Sequence, residues 1–173
     1  MKVLLLAVIS LLAVSAEIPT TEGPSDPSPS DISYSPFSVY DSRYALGTFA
    51  KLNYFQAQIT CASNGYTLAS INSEADQQRI RNFFYTRGHS QLHLLNEPIW
   101  TSGTNLANLN NWVWLSTGRI FTFRNFESGS PSSSYQRCLG VNGITSLWVA
   151  EDCSAQRYFL CERRCADGFD IYN

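Results

Sequence analysis

Five cysteines, at positions 61, 138, 153, 161 and 165, constrain this chain more than any other feature of it. Their meaning depends on compartment, and the first residues speak to that. Lys2 is a short basic start, Val3 to Val14 is an apolar run, and Val14-Ser15-Ala16 offers the small residues of a cleavage site. Residues 1–16 read as a secretory signal, with the mature chain starting near Glu17. The apolar run is too short for a membrane span, which needs about 20 residues of helix, and no later segment is long and apolar enough. Export implies an oxidising compartment, where disulfides form and persist. The cysteines therefore read first as bridges, and with an odd number of them many connectivities are open.

Residues 17–38 are rich in proline, serine and threonine and almost free of large apolar side chains before Ile32. Such a segment buries too little surface to offset its ordering entropy. It reads as an extended linker, either O-glycosylated or an unmodified leader. No Asn-x-Ser/Thr sequon occurs, so N-glycosylation is not expected. A formal net charge of -2 provides no concentrated basic surface, which argues against a nucleic-acid partner.

An edge strand is expected somewhere within residues 39–50. The spacing of Tyr54, Ala57 and Cys61 predicts a helix from Asn53 to Ser63 with Cys61 on its buried face, stopped by Asn64-Gly65. Ser73 and Asp76 have the spacing of a capping box, and Ile80, Phe83 and Phe84 then form an apolar stripe that reads as core. From Trp100 onward short aromatic runs at 112–115 and 121–123, broken by glycines, replace helical periodicity with period two. Two helices followed by short strands predict an α+β domain. The polar, Ser- and Gly-rich stretch from about Phe126 to Arg137 is too long for a tight hairpin, and long loops held by strands are where binding tends to lie.

Taken together, Tyr54, Ala57, Cys61, Gly65, the run Leu68-Ala69-Ser70-Ile71-Asn72-Ser73 and Asp76 resemble the opening of the C-type lectin-like domain. Ile99-Trp100-Thr101-Ser102-Gly103 resembles that family's central strand, Val113 to Gly118 its next hairpin, and Phe123 to Phe126 the aromatic strand before its long loop. Cys138, Leu147-Trp148, Cys153 and Tyr158 to Glu162 complete the resemblance, which runs from about Arg43 to Glu162. It implies two helices, two small antiparallel sheets and a long loop, over a domain at residues 39–165 followed by a tail at 166–173. It also implies the bridges Cys61–Cys161 and Cys138–Cys153. Cys165 is then left over, for a disulfide-linked dimer or another partner, or as a free thiol. Trp100, Trp114 and Trp148 become mainly core, the alternative being an aromatic binding platform.

Sugar-binding members of the family hold calcium with a loop tripeptide, an acidic residue before the third-strand cysteine, and Trp-Asn-Asp. By the resemblance the corresponding positions are Ser130-Pro131-Ser132, Gln136 beside Arg137, and Val149-Ala150 after Trp148. Calcium prefers six to eight oxygens and gains most from carboxylates. None of these residues has a carboxylate, and Val149 and Ala150 have no side-chain oxygen. Arg137 adds a like charge, costing on the order of 4 kcal/mol at 4 Å and an effective dielectric of 20. No calcium is expected at this degraded site, and Glu151 and Asp152 read as solvent-facing charge at a strand end or turn.

Ser130, Ser132, Tyr135, Gln136 and Arg137 remain ligand-binding candidates through their hydroxyl, amide and guanidinium groups, or else simply keep an exposed loop soluble. His89 and His93 are four apart, yet no Glu follows His89 and no third ligand is apparent, so they read as exposed loop residues. No nucleophile elbow, phosphate-binding loop or Cys/His pair suggests an enzyme. The expectation is a secreted, extracellular recognition module for a glycan or glycoprotein, independent of calcium. The alternative is an extracellular protein-interaction or structural module that binds no sugar.

Overall fold

In a computed structural model, which describes residues 35–164, the first helix, α1 (Tyr54–Ser63), begins at a complete capping box. Asn53 Oδ1 accepts from Gln56 N at 2.9 Å, and Gln56 Oε1 accepts from Asn53 N at 3.1 Å. Helix α2 (Glu74–Thr86) begins at Ser73, whose Oγ accepts from Asp76 N at 3.2 Å. Asp76 does not reach back to Ser73 N. It accepts instead from Asn72 N at 3.2 Å and from Ser73 Oγ at 2.9 Å, which moves the reciprocal arm of the cap one residue upstream. Each helix buries the expected face: Tyr54, Ala57 and Cys61 on α1, and Ile80, Phe83 and Phe84 on α2. Burying a side chain of this size contributes about 1.5–3 kcal/mol.

Among the described residues nine strands complete the domain: β1 (Val39–Tyr40), β2 (Tyr44–Leu52), β3 (Tyr66–Leu68), β4 (Pro98–Thr104), β5 (Val113–Trp114), β6 (Arg119–Ile120), β7 (Gln136–Asn142), β8 (Trp148–Asp152) and β9 (Arg157–Arg163). One antiparallel group joins β1, β2, β3 and β9, and another joins β4 to β8. The two groups expected from the resemblance meet at one parallel register pair, Trp100 with Phe159, and so make a single mixed sheet. Strand β4 is the central element, fully buried from Ile99 to Thr104. At Gly103 a Cβ would stand 2.7 Å from Leu139 and 2.8 Å from Phe121, so close packing there requires glycine.

Two core clusters flank this sheet. One gathers α2 with Trp112, Trp114, Phe121 and Trp148, and the other gathers α1 with Leu68, Trp100, Phe159 and both disulfides. Trp100, Trp114 and Trp148 are fully buried, as core rather than as a platform. Some polar tips of the core aromatics find partners, while Tyr44 Oη and Trp114 Nε1 have none among the described residues. Tyr54 Oη donates to Ser102 O at 2.8 Å, and Trp100 Nε1 donates to Leu52 O at 2.9 Å. Burial pushes the Tyr54 hydroxyl's pKa well above its ordinary value. Cys61 pairs with Cys161 and Cys138 with Cys153, spanning 100 and 15 residues.

Four expectations need correction. Residues 35–38 belong to the domain and not to a linker: Phe37 is buried edge-on against Tyr66 at 5.3 Å, and Ser38 N donates to Leu46 O at 2.9 Å. The segment at 39–50 is not an edge strand throughout, since Ala45 and Leu46 pair with β1 on one side and β9 on the other. His89 and His93 are exposed, but they sit on a 3-10 helix, His89–Leu94. Of the two aromatic runs only Val113–Trp114 is strand, pairing with β4 and with Arg119–Ile120, and residues 121–123 form no strand. The signal at 1–16, the rest of the expected linker, Cys165 and the tail lie outside the described residues.

Candidate functional site

The loop between Phe126 and β7 is braced at several points by its own polar side chains. At its start, Glu127 N donates to Trp148 O and Trp148 N to Asn125 O, both at 2.9 Å, which seats the loop along β8. Gly129 takes φ +82°, and the Ser130–Pro131 peptide bond is cis. Ser130 Oγ accepts from Ala150 N at 2.8 Å, so this hydroxyl faces the β8 backbone. Gln136 turns its amide oxygen back into the loop, where Oε1 accepts from Ser132 N, Ser132 Oγ and Ser133 N at 2.6, 3.0 and 3.2 Å. Arg137 Nε donates to Ser134 O at 2.8 Å.

A second loop meets the first. Thr104 Oγ1 and Asn105 N both donate to Arg137 O, at 2.8 and 3.1 Å, which pins the chain leaving β4 to the start of β7. Asn105 Nδ2 donates to Leu109 O at 3.3 Å and folds the intervening residues back on themselves. Between the loops lies an open cavity of about 400 Å³. Asn105 and Leu109 line one wall, and Pro131, Ser132, Ser133, Ser134, Gln136 and Arg137 line the other. Asn105 is 8% exposed, and its Oδ1 is buried with no hydrogen-bond partner among the described residues, a cost of about 1–3 kcal/mol. Cys138–Cys153 holds the base of the larger loop to the turn after β8.

Of the ligand-binding candidates, Ser132, Gln136 and Arg137 line the cavity. Ser130 is turned to β8, and Tyr135 stands 76% exposed beside the cavity. Asn105 and Leu109 are the residues that reading the sequence missed. They fall in an Asn- and Leu-rich connection that carries no motif, and only the fold brings them to the loop.

Among the described residues no cluster of three or more His, Cys, Asp or Glu side chains is placed to hold a metal. The oxygens of the calcium-site positions are already engaged, Ser130 Oγ by Ala150 N and Gln136 Oε1 by three donors. Val149 is half-buried and Ala150 is fully buried in the core. With a guanidinium in the same wall, this donor set does not fit calcium.

The two neighbouring carboxylates differ. Glu151, expected at the surface, makes a bidentate pair with Arg157 at 2.6 and 2.7 Å and is largely shielded. Asp152 is exposed and closes a turn, accepting from Ser154 N at 2.8 Å and Ser154 Oγ at 2.7 Å, and these bonds hold its carboxyl below the usual range. A smaller cavity of about 250 Å³ lies between Arg43, Tyr44 and α2, but Arg43 and Arg79 both pair with Asp76 there.

A helix pair, a sheet built on a buried central strand, and a long loop tied down by a disulfide set the frame for comparison. The sequence profile of the lectin C-type domain matches residues 50–163. The chain belongs to the C-type lectin domain family. It is 26% identical to mouse lithostathine-2 over 118 residues, 66% of this chain and 65% of that protein, so it spans just under two thirds of that relative. It is 24% identical to salivary C-type lectin 2 of the mosquito Aedes albopictus over 111 residues, 60% of this chain and 72% of that one. The carbohydrate-recognition domain of the mouse scavenger receptor C-type lectin shares its fold, at a TM-score of 0.57 and 22% identity, covering 73% of this chain and 94% of that domain.

Proposed function

We propose that this C-type lectin domain is an exported recognition module that binds a glycan or glycoprotein through the cavity at residues 131–137, without calcium. It acts by binding and not by catalysis. The observation that carries this reading is the cavity itself: a concave, uncharged-polar wall with one guanidinium, braced by side-chain bonds before any ligand arrives. Preorganisation of this kind lowers the entropy cost of binding. A cavity of about 400 Å³ also falls within the range of small-molecule sites, roughly 300–1,000 Å³. Export rests on the segment at 1–16 and on the salivary relative, and among the described residues no helix is long and apolar enough to cross a membrane.

The test is a glycan array read in millimolar calcium and again in EDTA. Binding is expected to be equal in the two buffers, competed by free sugar, and abolished by replacing residues 132–137 with a Gly/Ser loop. Melting temperatures in the two buffers should also coincide, since a ligand present at 100 times its Kd stabilises by about 2.7 kcal/mol. Loss of binding in EDTA, or binding that survives loop replacement, would sink the proposal. Capture of a protein that no sugar competes would favour a protein-interaction module.

A further inference from the structure

We infer that the cavity between residues 105–109 and 131–137 takes an acidic saccharide, held by its carboxylate or sulfate on Arg137. This rests on the loop being the recognition surface, and it adds the chemical class of the ligand. Among the residues lining the cavity Arg137 bears the only full charge, and no carboxylate lines it. The carboxylate that strand register sets opposite Gln136 belongs to Asp152, which is engaged by Ser154 and does not line the cavity.

The donor balance points the same way. Arg137 spends only Nε on the protein, bonding Ser134 O at 2.8 Å, which orients the guanidinium plane. Its two Nη groups have no partner among the described residues. Neither has Gln136 Nε2, because the three bonds to that side chain all fall on Oε1. The Ser134 hydroxyl likewise has no partner there. Set against one orphaned side-chain acceptor in the same cavity, Asn105 Oδ1, these free donors are in excess around one positive charge, and the complement is an acceptor-rich anion. Guanidinium matches carboxylate and sulfate oxygens in paired, charge-assisted bonds. A saccharide rather than a bare anion follows from the size of the cavity and from Leu109 and Tyr135, which at 59% and 76% exposure offer apolar faces for the C–H side of a sugar ring. The main-chain anchor of Thr104 and Asn105 on Arg137 O keeps the charge in place.

Calorimetric titration of the mature chain in EDTA at low salt decides the matter, with sodium glucuronate, glucose 6-sulfate, methyl glucoside and an acidic Glu-containing peptide as probes. Both acidic sugars should bind about tenfold or more tightly than methyl glucoside, and Arg137→Gln should cost them about tenfold or more. Arg137→Lys should fall between, as it keeps the charge and loses the fork, and raised salt should weaken acidic probes only. Thermal melts establish whether Arg137→Gln is folded, and Ser134→Ala, which removes a donor that makes no bond to the protein, should independently weaken the acidic sugars. The inference is overturned by methyl glucoside binding as tightly as glucuronate, by acid-sugar binding that none of these variants weakens, by the peptide binding as tightly as the sugar, or by no binding of either acid. If neutral glycans bind in EDTA and only loop replacement abolishes it, the recognition reading survives and the acidic class falls. If loop replacement leaves all binding intact, both fall.

Discussion

Single side chains in this domain are set by partners far along the chain. Gln77 has polar neighbours in the sequence and would pass for part of the solvent face of α2, yet it is 3% exposed. Its Oε1 accepts from Trp148 Nε1 at 2.7 Å and its Nε2 donates to Ser146 O at 3.1 Å, so it satisfies the indole at the centre of the aromatic cluster. Gln77→Leu keeps the volume but strands the indole N–H, and should cost about 1–3 kcal/mol. Urea unfolding reads this as a lower midpoint at unchanged slope. In a Trp148→Phe background, where there is no N–H to strand, the same substitution should cost measurably less. Equal costs in the two backgrounds would show that the bond is not the cause.

At the level of elements, the helices were legible because their signals are local: apolar residues three and four apart, and a cap within one turn. The start of α2 combines Ser73 with Asp76, whose carboxylate also takes Arg79 Nη1 at 2.6 Å and Arg43 Nη2 at 3.4 Å. Ser73→Ala removes the acceptor for Asp76 N and should lower stability by about 1 kcal/mol, within a range of roughly 0.5–2. Ser73→Asp should restore most of it, and thermal melts of the two variants are the check. A Ser73→Ala variant as stable as the parent would mean that Asp76 alone starts the helix. Strands were less legible. Ala45 and Leu46 are paired on both sides, and the pairing partners, not the alternation of their own segment, determine that β2 is internal there. Two-residue strands such as β5 and β6 exist only because β4 is present for β5 to pair with.

At the scale of the whole molecule, the two disulfides among the described residues have different tasks. Cys61–Cys161 ties α1 to β9 across 100 residues and fastens the ends of the domain. Cys138–Cys153 closes only 15 residues, but it anchors the base of the candidate site. By chain-entropy reasoning, removing it as Cys138→Ala/Cys153→Ala should cost about 3 kcal/mol. Because Arg137 adjoins that bridge, ligand binding in EDTA should weaken even at temperatures where the domain stays folded by circular dichroism. Full-strength binding by the folded double variant would show that the bonds from Thr104 and Asn105 hold the loop without the disulfide.

Reading residues in order established the α+β class, both helices with their buried faces and, through the family resemblance, the cysteine pairing. These depend on periodicity, capping and residue type, which act over one or two turns or are visible as identities at set positions. The fold alone decided that Phe37 is core, that Glu151 is paired with Arg157, and that Asn105 and Leu109 face residues 131–137 across a cavity. The first and last of those depend on which strands lie side by side. Strand neighbours are chosen by burial of the whole apolar surface at once, and no local stretch of sequence carries that choice.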